Sequence, residues 1–293
     1  MNTATLPGIE ERITGAGIRV VRLHYTADPA KRSEEWKAGA RAGYTSERDW
    51  LREMEVDWTV AAGLPVYGEE FMREWHVAKE PLLAIAGMPM RRSWDNPLKP
   101  ACVFWQIDAS ARFNVLREHV IWDGRGPEKQ MGMERFADEV KILSNDWYPG
   151  MEFLDYGDPS CWSKSQTDEK SNAEILRAKG IFLRPGPMTF TDRKSAIDRV
   201  LAKSIGGRPQ LMVSPECTML IEGFVGAYKY EQIGDTEKYK ETVEKNAWSH
   251  PMNALEYGIG AIVVQTPRED EPGTRREERY EEETSRTRAG VWY

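Results

Sequence analysis

Three strand-like runs follow one another between Ile85 and Val120: Ile85 to Asp95, Ala101 to Asp108 and Phe113 to Val120, with only short turns between them. Runs this closely spaced have room for hairpin connections alone, so they predict an antiparallel meander. Beyond them the pattern alternates. A helix is expected over Glu128–Trp147, where Met133, Phe136, Val140 and Leu143 recur at helical spacing. A strand then follows over Met151–Tyr156, a helix over Asp168–Lys179, a short strand over Ile181–Arg184, a helix over Asp192–Ile205 and a strand over Gln210–Val213. Helices over Pro215–Gly226 and Ala247–Val264 complete the series. A meander followed by alternating helices and strands predicts a mixed α/β sheet, its antiparallel part extended by parallel crossovers and flanked by helices.

Upstream, Ile18–Tyr25 reads as a strand, Asp28-Pro29 as a helix start, and Thr45–Trp58 as a helix with a bulky face of Trp50, Leu51, Met54 and Trp58. Downstream of Thr266 the chain is dominated by Arg, Glu and Thr, the composition of a disordered tail. The expected organisation is an N-terminal strand and helices over 1–82, a catalytic domain over 83–265 and a charged tail over 266–293.

The composition excludes several classes. No apolar run approaches the roughly 18 residues of a membrane span, and the first residues lack the features of a signal peptide. Residence in the cytoplasm is therefore expected. The three cysteines, Cys102, Cys161 and Cys217, are far apart and show no zinc-ligand spacing. No GxxxxGK[ST] loop occurs, so no P-loop ATP hydrolysis is expected of this chain. A net charge of −7 argues against nonspecific coating of nucleic acid; the basic stretches at Lys31-Arg32, Arg91-Arg92, Arg184 with Arg193-Lys194, and Lys238 to Lys245 read singly as solvated faces, and together could line a groove.

Three separated segments carry the chemistry. Arg92-Ser93-Trp94-Asp95 ends one expected strand, and Leu154-Asp155-Tyr156-Gly157-Asp158-Pro159 ends another. Ser249-His250-Pro251-Met252-Asn253 opens the last helix. Carboxylates from two strand ends form the oxygen-rich cage that hard divalent cations prefer. In the second segment either Asp155 or Asp158 can face the site. Glu118 at the end of the third strand is a further acid, and His250 can move a proton or contact a phosphate.

The order β-β-β-α-β-α-β-α resembles the ribonuclease H-like arrangement. Within it the chain resembles the nuclease portion of the large subunit of tailed-phage terminase, the DNA-packaging motor. The residues that carry the resemblance are Arg52 to Trp58, Arg92 to Asp95 with Pro100 to Val103, Gly157 to Ser160, and Lys245 to Tyr257. The resemblance implies Asp95, Asp158 and Asn253 as metal-binding and catalytic positions, with Asp155 as the other acid, His250 beside them, and Arg193 and Lys245 on DNA. It implies Mg2+ or Mn2+, two ions together, and two-metal hydrolysis of double-stranded concatemeric DNA. The portal protein, the small terminase subunit and an ATPase part are the implied partners, in the cytoplasm of an infected bacterial host. Two departures stand out: Ser93 and Asn96-Pro97 flank the first acid, and Asn253 stands where a third Asp is expected. The alternatives are a silent DNA-binding or portal-docking module of the same fold, and another ribonuclease H-like nuclease such as a resolvase.

Overall fold

The computed structural model describes residues 7–13, 18–44, 50, 53–56, 63–96, 98–125, 127–164, 170–234 and 238–264. The tail expected after Thr266, and the helix expected over Thr45–Trp58 apart from Trp50 and 53–56, lie outside the described residues.

A hairpin of β1 (Ile9–Ile13) and β2 (Arg19–Leu23) precedes α1 (Glu34–Arg41) and the short α2 (Arg73–His76). The central sheet is built from β3 (Met90–Asp95), β4 (Ala101–Ile107), β5 (Phe113–Val120), β6 (Phe153–Gly157), β7 (Leu183–Pro185) and β10 (Leu211–Val213). Its order is β10-β5-β4-β3-β6-β7. The pairs β3–β4 and β4–β5 are antiparallel, while β3–β6, β6–β7 and β5–β10 are parallel. The sheet is therefore the expected meander extended on both sides by parallel strands.

The helices α3 (Met133–Trp147) and α4 (Asn172–Ala178) make the crossovers to β6 and β7. Next come α5 (Phe190–Ala202), a small hairpin of β8 (Ser204–Ile205) and β9 (Arg208–Pro209), and α6 (Thr218–Glu222). A π turn over Gly223–Ala227 and a second hairpin, β11 (Tyr230–Gln232) with β12 (Tyr239–Val243), lead to α7 (Ser249–Val263).

Both faces of the sheet are covered, and this explains the unbroken apolar run of β4: six of its seven residues, Ala101 to Gln106, are buried. On one face Met90, Trp94, Cys102, Phe104 and Leu116 pack with Met133, Phe136, Ala137 and Val140 of α3 and Leu176 of α4. On the other, Val103, Trp105, Val115 and Tyr156 pack with residues of α5, α6 and α7, together with Val66, Tyr67 and Phe71 from upstream. α7 is buried nearly all round, and its far half, Gly258–Val263, is wholly apolar.

Several boundaries differ from those read in the sequence. β3 begins at Met90, not Ile85, because the Ile85 N–H is taken by the side chain of Gln106 at 2.8 Å and Gly87 turns the chain at a φ of 77°. α5 ends at Ala202 because Gly206 and Gly207, with φ of 59° and 73°, form the turn of the β8–β9 hairpin. α4 begins at Asn172, where Ser171 and Glu174 close a capping box.

Candidate active site

The register of β3 against β6 places Trp94 opposite Gly157, so the next residues, Asp95 and Asp158, emerge side by side at one edge of the sheet. The Asp158 N–H donates to the Trp94 carbonyl at 3.3 Å. Asp95 is 3% exposed. Burial pushes its carboxyl up to about 6, and the charge of Asp158 adds to this. His250 and Lys245 oppose it. Asp158 caps the 3₁₀ turn Pro159–Trp162, accepting from the Ser160 N–H at 2.8 Å and the Ser160 hydroxyl at 2.5 Å. Burial raises the phenol of Tyr257 above its ordinary range, and the nearby charge of Asp158 adds to this.

α7 supplies the third side. Its entry is held by Asn246, which accepts from the Ser249 N–H at 3.1 Å and donates to the Ala227 carbonyl at 2.9 Å. His250, in the first turn, brings Nδ1 to 2.8 Å from Asp95 Oδ2. One turn on, Asn253 is 6% exposed and accepts from the Tyr228 hydroxyl at 3.1 Å. A further turn on, Glu256 is fully buried. It accepts from the Tyr67 hydroxyl at 2.8 Å and lies 3.6 Å from Arg193. Burial pushes Glu256 up to about 7 against the opposing charge of Arg193.

Asp95, Asp158, His250 and Asn253 are thus brought to one region. Asp155 is on the opposite face of the sheet. It accepts from Arg92 at 2.7 and 2.8 Å and from the Trp94 indole at 2.8 Å, a buried pair inside the α3 side of the core. Period-two alternation along β6 makes this unavoidable once Tyr156 packs toward α7. Arg193 is buried, with its guanidinium 4.4 Å from the Tyr257 ring, facing Glu256 instead of open surface. Lys245 is exposed and close enough for its charge to favour ionised Asp95. Glu118 accepts the Met219 and Leu220 N–H groups at 2.7 and 2.9 Å, which satisfies the start of α6.

Two participants escaped sequence reasoning. Tyr257 lies seven positions after His250, on the same helix face, and that spacing could have found it. Tyr228 arrives from the π turn, which no local pattern announces.

Among the described residues, no three His, Cys, Asp or Glu side chains are grouped so as to hold a metal ion. The donor set still fits one hard cation. It offers two carboxylates and an amide oxygen, and the raised pKa of buried Asp95 marks a negative charge short of compensation.

Fold and site together define a ribonuclease H-like α/β domain with paired acids at the edge of its mixed sheet. The fold is that of a tailed-phage large terminase. The large terminase of a thermophilic bacteriophage (crystal form 3) superposes with a TM-score of 0.53 at 18% identity, over 82% of this chain and 55% of that one. The same protein in complex with ADP gives 0.54 at 18% identity, over 80% and 53%. The chain therefore spans about half the length of the terminase it matches. No family model matches the sequence, and no curated protein matches it.

Proposed function

We propose that this chain is the metal-dependent endonuclease part of a DNA-packaging terminase, cleaving double-stranded concatemeric DNA. The observation that carries the reading is the convergence of Asp95 and Asp158 from adjacent parallel strands with His250 and Asn253 from α7. In this reading Asp95 and Asp158 hold Mg2+ or Mn2+, and Asn253 offers a neutral third oxygen. A bound divalent ion would supply Lewis-acid polarisation of a phosphodiester and a more acidic water, and a pair of ions would share these roles.

The protein's own contribution follows from its hydrogen bonds. The His250 Nδ1–H donates to Asp95, which fixes the tautomer and orients the ring. Nε2, on a side chain 20% exposed, is then the atom that exchanges a proton with a substrate oxygen. Ser160 holds Asp158, and Tyr228 holds Asn253. Lys245 stands at the surface as a phosphate contact.

No helix among the described residues is long and apolar enough to cross a membrane. The proposed setting is the cytoplasm of an infected bacterium, with the portal, the small terminase subunit and an ATPase part as partners. A second reading is favoured by one observation, the neutral residue at 253: a module of the same fold that binds DNA without cutting it.

Plasmid nicking with Mn2+ and with Mg2+ separates the two readings. Under the first, the chain or its Asn253→Asp variant linearises plasmid and Asp95→Ala does not. Binding of duplex with no cutting by either form establishes the second.

A further inference from the structure

The 3₁₀ turn capped by Asp158 ends at Trp162, and between that residue, α4 and the edge strand β7 lies a cavity of about 290 Å³. This is near the lower end of the volumes in which proteins enclose small ligands. Trp162, Phe182 and Leu183 form apolar walls, and Lys164 and Arg177 bring positive charge. The one carboxylate on the lining among the described residues, Glu174, is engaged chiefly by Ser171, with the charge of Lys164 nearby. It accepts from the Ser171 N–H at 2.7 Å and the Ser171 hydroxyl at 3.0 Å as part of the α4 cap. Among the described residues, neither Lys164 nor Arg177 forms an ion pair with a carboxylate. The Arg177 guanidinium lies 6.0 Å from the Phe182 ring instead.

The two rings are left in water: Trp162 is 44% exposed and Phe182 63%. Exposed aromatic faces beside cations that, among the described residues, form no ion pair are suited to a ligand that is flat and apolar at one end and anionic at the other. A nucleotide of an unpaired strand has that form. Its base stacks on an aromatic ring whatever its sequence, and its phosphate meets lysine or arginine. Trp162 ends the short turn that Asp158 caps, which ties this wall of the cavity to the backbone beside Asp158.

We propose that this cavity is a single-strand subsite, with a base against Trp162 and Phe182 and its phosphate between Lys164 and Arg177. The proposal rests on the nuclease reading for the presence of DNA at this face, the ligand being an unpaired end or stretch of that DNA, but binding at the subsite requires no cutting.

The test uses the full chain in EDTA at fixed low salt, with fluorescein-labelled ten-residue oligothymidylate followed by anisotropy. A strand of the same length made of abasic sites is the second probe. Trp162→Ala and Phe182→Ala are each expected to weaken oligothymidylate binding roughly tenfold, the order that base stacking on one ring supplies. Trp162→Phe is expected to retain most of the affinity, which separates loss of stacking from misfolding. The abasic strand should bind more weakly than oligothymidylate and be indifferent to Trp162→Ala. Oligothymidylate binding unchanged by the alanine variants, equal binding of the abasic strand, or no binding at all overturns the proposal; a cavity that seats a protein segment instead would give the first of these. Plasmid cleavage measured in parallel keeps the two readings apart. A chain that cuts but shows no Trp162 dependence loses only the subsite, and one that shows the dependence but never cuts loses only the nuclease.

Discussion

The Nδ1 atom of His250 lies 2.8 Å from Oδ2 of Asp95, joining residues 155 positions apart in the chain. Asp95 is pushed up to about 6 by burial, and the His250 hydrogen bond is the largest influence opposing the rise. His250→Ala therefore lets Asp95 keep its proton to higher pH. Protons and Mn2+ compete for the same oxygens, so under the nuclease reading Mn2+ binding by the variant should need a pH higher by on the order of one unit than by the parent chain. Cleavage at pH 7 should fall about 100-fold or more. Calorimetric Mn2+ titrations across pH 5 to 9 check this, and an identical pH profile in the two proteins would show that the contact does not govern Asp95.

Asn253→Asp adds a negative charge beside Asp95 and Asp158 while keeping an oxygen that can accept from Tyr228. Mn2+ affinity should rise at least about tenfold, since charge count sets the strength of hard-cation sites. Without metal the new carboxylate should lower the melting temperature, and saturating Mn2+ should raise it by more than in the parent chain. Equal Mn2+-induced shifts in both proteins would place residue 253 outside the metal site.

Asp155 and Asp158 are three positions apart but differently placed, Asp155 paired with buried Arg92 and Asp158 capping a turn at the sheet edge, which gives a paired test. Asp155→Asn leaves the Arg92 guanidinium buried without its counter-charge and should cost about 3–5 kcal/mol in urea unfolding. Asp158→Asn sits at the sheet edge and should cost less than about 1–2 kcal/mol, while removing most Mn2+ binding. If the stability and metal effects fall on the opposite residues, the assignment of the two acids is reversed.

Glu118 gives a pH dependence separate from the metal site. Burial raises its carboxyl from the ordinary 4.5 to about 7, against the opposing Met219 and Leu220 N–H groups. The folded state thus holds this proton more tightly than the unfolded chain does. The resulting stability is fully present below about 4.5 and is lost as pH rises through about 7, a change of up to about 3 kcal/mol. Denaturation midpoints at pH 5.5 and 8.5 should differ less in Glu118→Gln than in the parent, and an equal difference would contradict the assignment.

Much of this architecture was legible because long-range order follows from local spacing here. Closely spaced strand runs admit hairpins alone, and helices of the length of α3 oblige the next strand to return parallel. Asp95 and Asp158 could be found because each ends a strand at the edge where parallel connections emerge. The second acid of the Leu154 to Pro159 segment was harder. Its face depends on which neighbour packs toward α7, and that is a tertiary fact. The Arg193–Glu256 pair was not legible at all, since two distant helices have to cross before the charges meet. The hairpin of β8 and β9 was hidden by a helical pattern running into it, although Gly206-Gly207 held the signal. β11 and β12 show no alternation strong enough to stand out from a charged loop.

A Cβ built on Gly258 would lie 1.9 Å from the Ser93 hydroxyl oxygen, and one on Gly260 would lie 2.8 Å from the Pro187 ring. α7 is therefore seated against its surroundings at its centre and far half, and these contacts beyond the turn that carries Asn253 fix the height and rotation of the helix. Under the nuclease reading, a substitution that changes the charge at position 253 leaves these seating contacts at Gly258 and Gly260 in place. The placement of the reactive groups and their identity are inherited separately.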